Sequence, residues 1–294
     1  VSYRSVVLAD SPVLFLPLGE PSGNFVDLSS SGLTGVPNGT LTRATSTGFA
    51  GVGSGVTFAA LNTTYVSVAD TPILDITGDF TYECWMIFQT NGTTQYIMSK
   101  GQDAGGATAG YGFYLTTAAA LVVDQVNITA GFRPGVGQSS GTWHYLAVTR
   151  IGNAWAMYVD NTQVATNPAI ALPCNATARD FLIGATYTSG GAGQFPCNAT
   201  TSIASAAVYS TGLSQAQLLV HYNARNDAGG SGSPRKSPPT PFVATIAANL
   251  PPGLGGTPPG LGGEPPGQAK KQSPQSPAAR RRHLFGGDPR RKRR

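Results

Sequence analysis

Carboxylates set the first test for catalysis. Hydrolysis of a glycosidic bond needs two carboxyl groups about 5–9.5 Å apart. The one close pair on a single strand face is Asp79 and Glu83, and four strand steps separate them by about 13 Å. That spacing is too wide, so no catalytic residue is assigned. His144, His221 and His283 stand singly, without metal-ligand spacing, and no Ser or Cys lies in a nucleophile signature. They read as surface or half-buried side chains. Asp79, Asp103 and Asp160 lie at or near expected strand ends, where Asp is most often a turn former. An oxygen-only calcium site there is compatible with the sequence, but no metal ligand is assigned and no cofactor is expected.

Three further patterns carry chemistry. Pro173-Cys-Asn-Ala-Thr177 recurs as Pro196-Cys-Asn-Ala-Thr200, so a Cys174–Cys197 disulfide is expected to pin a pair of loops, contributing about 3 kcal/mol. Two reduced thiols in similar loops is the alternative. Cys84 falls inside a strand and reads as a small buried hydrophobe. Six Asn-x-Thr sequons occur, at Asn38, Asn62, Asn91, Asn127, Asn175 and Asn198; they would carry glycans only in a eukaryotic secretory setting. Finally, Lys270, Lys271, Arg280, Arg281, Arg282, Arg290, Arg291, Lys292, Arg293 and Arg294 place ten positive charges in 25 residues. Such a run suits phosphate, nucleic acid, an anionic cell surface or an acidic groove on a partner. Only Phe285 is interleaved, so nucleic acid is expected through non-specific electrostatics alone.

The elements that must position these groups divide at about residue 225. Residues 1–225 carry seven Lys/Arg against eleven Asp/Glu, a net −4, and residues 226–294 carry a net +9. Thirteen of the 22 prolines lie in the last 68 residues, where Pro-Pro-Gly-Leu-Gly-Gly repeats. Gly does not recur at every third position, which excludes collagen; the segment reads as a semi-extended strap. No run approaches the roughly 18 apolar residues of a membrane-spanning helix, and the opening residues are too short an apolar run for a signal peptide. No membrane insertion is expected.

Period-two patterning dominates the first part. Phe80–Phe88 puts Phe80, Tyr82, Cys84, Met86 and Phe88 on one face, with Thr81, Glu83, Trp85 and Ile87 on the other. Further strands are expected at 65–68, 111–116, 121–126, 143–150, 154–160, 163–166, 181–186 and 203–209, those from 143 to 166 forming a meander. A short helix closes the series at Leu213–Asn223, with Ser214 and Gln217 at capping-box spacing and Leu218, Leu219 and Tyr222 as its buried stripe. The fold class is all-β: a two-sheet antiparallel sandwich, a closing helix and an extended basic C-terminal tail.

Several motifs in order resemble laminin-G-like, concanavalin A-like jelly rolls. Tyr3–Val13 with Leu16-Pro-Leu-Gly-Glu20 looks like their entry strand, and Thr77–Trp85 like their central strand. Trp143–Thr149, Met157–Asn161, Leu182–Ala185 and Ala206–Ser214 resemble the later ones. The resemblance covers roughly residues 2–224 and implies a jelly roll whose rim loops or concave face hold sugar, calcium or protein. Relatives include glycoside hydrolases, but the Glu-x-Asp-x-Glu arrangement of the glucanases is absent here. Stand-alone domains of this kind recur in bacteriophage tail and surface proteins. Two readings follow. One is a non-enzymatic virion subunit, tail-associated or capsid-decorating, that contacts other subunits through its tail and cell-surface glycan through the jelly roll. The other is a secreted eukaryotic glycoprotein of matrix, cell wall or flagellar surface. The expected location is thus the virion surface or extracellular space, and exposed aromatics such as Tyr111 or Tyr187 are candidates for stacking on a pyranose.

Overall fold

The strand Phe80–Ile87 behaves as its alternation requires: Phe80, Tyr82, Cys84 and Met86 enter one apolar cluster while Trp85 enters another on the opposite face. The computed structural model describes residues 1–59, 64–87, 94–101, 110–116, 121–125, 141–167, 177–187, 194–196 and 201–228. In chain order these form α1 (Tyr3–Ala9), β1 (Leu14–Leu16), β2 (Phe25–Val26), β3 (Thr34–Asn38), β4 (Leu41–Ser46), β5 (Ser54–Phe58), β6 (Tyr65–Val68) and β7 (Phe80–Ile87). Next come β8 (Gln95–Lys100), β9 (Tyr111–Leu115), β10 (Leu121–Gln125), β11 (His144–Ile151), β12 (Ala154–Val159) and β13 (Thr162–Asn167). The series ends with β14 (Phe181–Ile183), β15 (Ala185–Tyr187), β16 (Gln194–Pro196), β17 (Thr201–Tyr209) and α2 (Gln215–Asn223).

Two antiparallel sheets face each other. Sheet A runs β13-β12-β11-β7-β17-β5-β4, with β1 also on β17; sheet B runs β10-β9-β8-β14-β6-β3-β2. Inward side chains of both, among them Phe58, Phe80, Tyr82, Phe113, Trp155 and Phe181, make the core between them. The expected meander is present as β11-β12-β13, and Cys84 is fully buried.

Three expectations are corrected. The segment read as an entry strand opens as α1: Ser2 accepts a hydrogen bond from Ser5 N at 3.2 Å, and the i,i+4 pair Tyr3 and Val7 is buried. Strand pairing begins only at Leu14. The expected strand 181–186 is split, because Gly184 has φ +81° and hands the chain from β14 in sheet B to β15, which pairs with β16. A side chain there would also strike Phe58. In α2 the capping box is in place, but Leu219 is 42% exposed and His221 takes its buried position beside Leu218.

Sheet A has a second buried face. Phe15, Trp85, Tyr145, Ala147, Tyr209, Leu213 and Leu218 pack with Tyr3 and Val7 beneath α1 and α2. Tyr3 N donates to Asp227 O at 3.0 Å, and Gly51 N to Arg225 O at 2.7 Å, so the packed body continues through Asp227. Both helices and the last described residues lie on this side.

Gly55 shows how tightly sheet A closes: a Cβ there would stand 2.4 Å from Ile203 O. Gly55→Ala is expected to cost about 1–3 kcal/mol by overpacking. Gly78→Ala, with open space around the new methyl, should stay within about 0.5 kcal/mol. Urea denaturation of the two variants checks the contrast.

Candidate functional site

Glu83 projects from β7 into the face sealed by the helices and is fully buried. A carboxylate there requires partners, because burial alone would force it neutral. Three elements supply them. Tyr145 on β11 donates its hydroxyl to Oε2, Tyr209 on β17 donates to Oε1 at 2.6 Å, and His221 Nδ1 on α2 stands 3.0 Å from Oε2. On the other side of the imidazole, Nε2 forms an ion-pair contact of 3.0 Å with Asp10 Oδ2 at the end of α1. Trp85 Nε1 donates to Tyr3 OH at 3.2 Å, and Trp85 stacks on Tyr222, centroids 5.8 Å apart.

The charges follow from this arrangement. Burial pushes the Glu83 carboxyl upward, but the His221 imidazolium and three hydrogen bonds outweigh it, and the net shift is downward. Burial likewise depresses His221, and Glu83 together with Asp10 more than reverses it. Burial, and then the Glu83 charge, raise both phenols well above 10, so they remain donors. His221, expected as a surface or half-buried side chain, is thus fully buried between two carboxylates. Sequence reading missed it because nothing in one helix shows which carboxylate another strand will bring beneath it. The centre is closed to substrate and holds α1 and α2 to sheet A.

The other acids are engaged in local structure. Asp79 Oδ1 accepts from Gly152 N at 2.7 Å. Asp160 accepts from Tyr145 N at 3.0 Å and meets His144 Nδ1 at 2.7 Å, while His144 Nε2 is 3.0 Å from Thr142 Oγ1. This chain clamps the start of β11 to the turn after β12. Among the described residues no group of three or more His, Cys, Asp or Glu is placed to hold a metal ion. Asp103 lies outside them, as do Cys174, Cys197, the basic residues from Lys270 to Arg294, and Asn62, Asn91, Asn127, Asn175 and Asn198. Asn38 is on β3, where its Nδ2 donates to Val36 O and Ser67 Oγ, both at 3.0 Å; attachment of a glycan at that nitrogen would disrupt both bonds.

The outer face of sheet B has a different chemistry. Tyr96 and Tyr114 pair at 5.0 Å between centroids. Tyr65 packs beside Leu182, Ala185 and Tyr187, and the Arg179 guanidinium lies 5.0 Å from the Tyr187 ring centre. Burial, then the Asp180 charge, push the Tyr187 phenol to about 12. Tyr187, expected as an exposed aromatic, is 9% exposed and packs with Leu182 and Ala185, and Tyr111, expected likewise, lies in the core against Phe80 and Tyr82. Its period-two phase points it inward, whereas Tyr114 points outward.

The Glu83–His221 pair predicts the pH profile of stability. Glu83, lowered from 4.5, contributes fully above about 4.5 and loses its contribution as pH falls through its folded value. His221, raised from 6.5, contributes fully below about 6.5 and loses it as pH rises through its folded value. Both contributions are complete between roughly those limits. Glu83→Gln should cost about 3–5 kcal/mol there and flatten the profile. Urea midpoints measured from pH 3 to 9 read both effects.

Comparison with known proteins agrees with this geometry. A laminin-G-type family model, described as the concanavalin A-like lectin/glucanases superfamily, matches residues 61–219. No curated protein matches. Among solved structures, the binding domain of Paraclostridial mosquitocidal protein 1 superposes with TM-score 0.57 at 13% identity, over 74% of this chain and 53% of that one. The receptor-binding domain of botulinum neurotoxin C/D mosaic serotype gives 0.54 at 12%, over 74% and 52%. A structure titled for the dependence of botulinum neurotoxin type C entry on two ganglioside molecules gives 0.56 at 11%, over 74% and 52%. The chain spans about half the length of these structures, and at such identity the likeness is one of fold. With the family match covering more than half of its residues, the chain belongs to the concanavalin A-like lectin/glucanase superfamily.

Proposed function

We propose that this chain is a non-enzymatic virion surface subunit, tail-associated or capsid-decorating, whose jelly roll contacts host glycan and whose basic tail holds it in the particle. The observation that carries this reading is the inequality of the two outer faces. Sheet A is closed by α1 and α2, and Asp227, which leads to the tail, is bonded on that side. On its outer face sheet B carries the half-buried Tyr65 and Tyr96, with Tyr114 and, from β15, Tyr187 buried beside them, and rings so placed suit pyranose stacking. On this reading recognition belongs to the face away from the helices.

Further support comes from the acids. Glu83 is sealed, and Asp79 and Asp160 serve turns and strand ends, which leaves no open carboxylate pair among these three for glycoside hydrolysis. The ganglioside dependence named for one structural neighbour belongs to that toxin; it makes glycan the ligand class to try first.

Residues 1–228 on a glycan array should retain at least one ligand and release no sugar from it. Tyr65→Ala or Tyr96→Ala should weaken that binding about tenfold or more, while the body stays folded. A body that binds nothing, or that cleaves the ligand, contradicts the reading. Deletion of residues 229–294 should abolish incorporation into particles while leaving the body folded. Full incorporation of the truncated protein removes the anchoring role, and N-glycans in the intact mass would transfer the chain to the secreted-glycoprotein reading.

A further inference from the structure

One rim of sheet B contains a buried cation unrelated to the Tyr surface chemistry. Lys100, the last residue of β8, is 1% exposed, an uncommon place for an ammonium. Its Nζ is met only by oxygen in the contacts that define its position. It forms a short ion pair with Asp70 Oδ1, lies 3.4 Å from Asp75 Oδ1, and donates to the carbonyls of Thr177 at 3.1 Å and Arg179 at 2.5 Å.

The cage is fixed from behind. Asp75 Oδ1 also accepts from Thr177 N at 3.2 Å, Asp70 N donates to Asp180 Oδ1 at 3.0 Å, and Tyr111 OH donates to Leu74 O at 3.3 Å. The nearby Arg179 turns its guanidinium towards the Tyr187 ring rather than into the cage. Two carboxylates and two backbone carbonyls around one positive centre are the donor set of a hard divalent cation.

We propose that this cage is a divalent-cation site whose cation the chain supplies itself, as the Lys100 ammonium, so that a short uncharged residue at position 100 turns it into a calcium site. Charge and size both favour this. Without the ammonium, Asp70 and Asp75 leave two negative charges that one divalent ion balances. The emptied length of the lysine side chain admits the waters needed to bring four protein oxygens to the six to eight that calcium takes. Magnesium, which demands near-ideal octahedral geometry and dehydrates reluctantly, fits an irregular cage less well. In the natural protein the rim beside Tyr187 is therefore held without any metal, and its order is independent of chelators.

The test uses the full chain and its Lys100→Ala variant, with Lys100→Met as a neutral side chain that still fills the space. Thermal melting is recorded in EDTA, calcium and magnesium, and terbium luminescence serves as a second readout. The natural protein should melt identically in all three solutions and give no terbium signal from this site. Lys100→Ala should melt lower in EDTA and rise by about 5–10 °C in calcium at a hundredfold excess over its Kd, with smaller gain in magnesium. Lys100→Met should stay low throughout. A calcium shift of the same size in the natural protein overturns the proposal. So does a Lys100→Ala protein that gains nothing from calcium, or that fails to fold even when refolded into it. None of these outcomes depends on glycan binding, so the two proposals stand or fall separately.

Discussion

Most of the molecule's asymmetry follows from one buried carboxylate. Glu83 lies at the centre of sheet A, on a strand paired on both sides, and cannot be left without compensation there. The partners that stabilise it come from β11, β17 and α2, with Asp10 joining from α1 through the imidazole. The two helices are thus tied by charge as well as by the apolar contacts of Tyr3, Val7 and Leu218. Such a network contributes less to net stability than its geometry suggests, because desolvating each ion offsets much of the attraction. Its main effect is on specificity: with Glu83 in place, other packings of the helices leave a charge uncompensated.

That constraint assigns roles to the faces. A sandwich with two solvated faces could recognise ligands on either. Here one face is closed by α1 and α2, with Asp227 bonded on that side, and the proposed recognition is therefore assigned to sheet B. The rim at Lys100 extends the same logic on a smaller scale, with an internal cation satisfying a set of oxygens that would otherwise call for an external one.

The sequence made the sheets legible and left the tertiary couplings obscure. Period-two patterning located β7, β11, β12 and β17 and gave the correct inward face of β7, since alternation is a local property. The capping box of α2 was equally local. By contrast, the resemblance of Tyr3–Val13 to an entry strand misleads, because its valines suit either state; the Ser2 cap and the Tyr3–Val7 spacing decide for helix once sheet A offers a surface. The early strands from Leu14 to Phe58 are short and rich in Gly and Thr, and their pairing partners are distant in sequence. The charged centres were the least visible. Lys100 meets Asp70, Asp75 and residues 177–179, and Glu83 meets His221, 138 positions away; no spacing rule spans such separations.

We propose that recognition belongs to sheet B, while the helix-covered face of sheet A is structural. Hydrogen–deuterium exchange of residues 1–228, with and without a bound glycan, tests it most directly. Added protection is expected in β6, β8 and β9, with α1, α2 and β7 unchanged. Protection concentrated in α1 and α2, with sheet B unaffected, would contradict it.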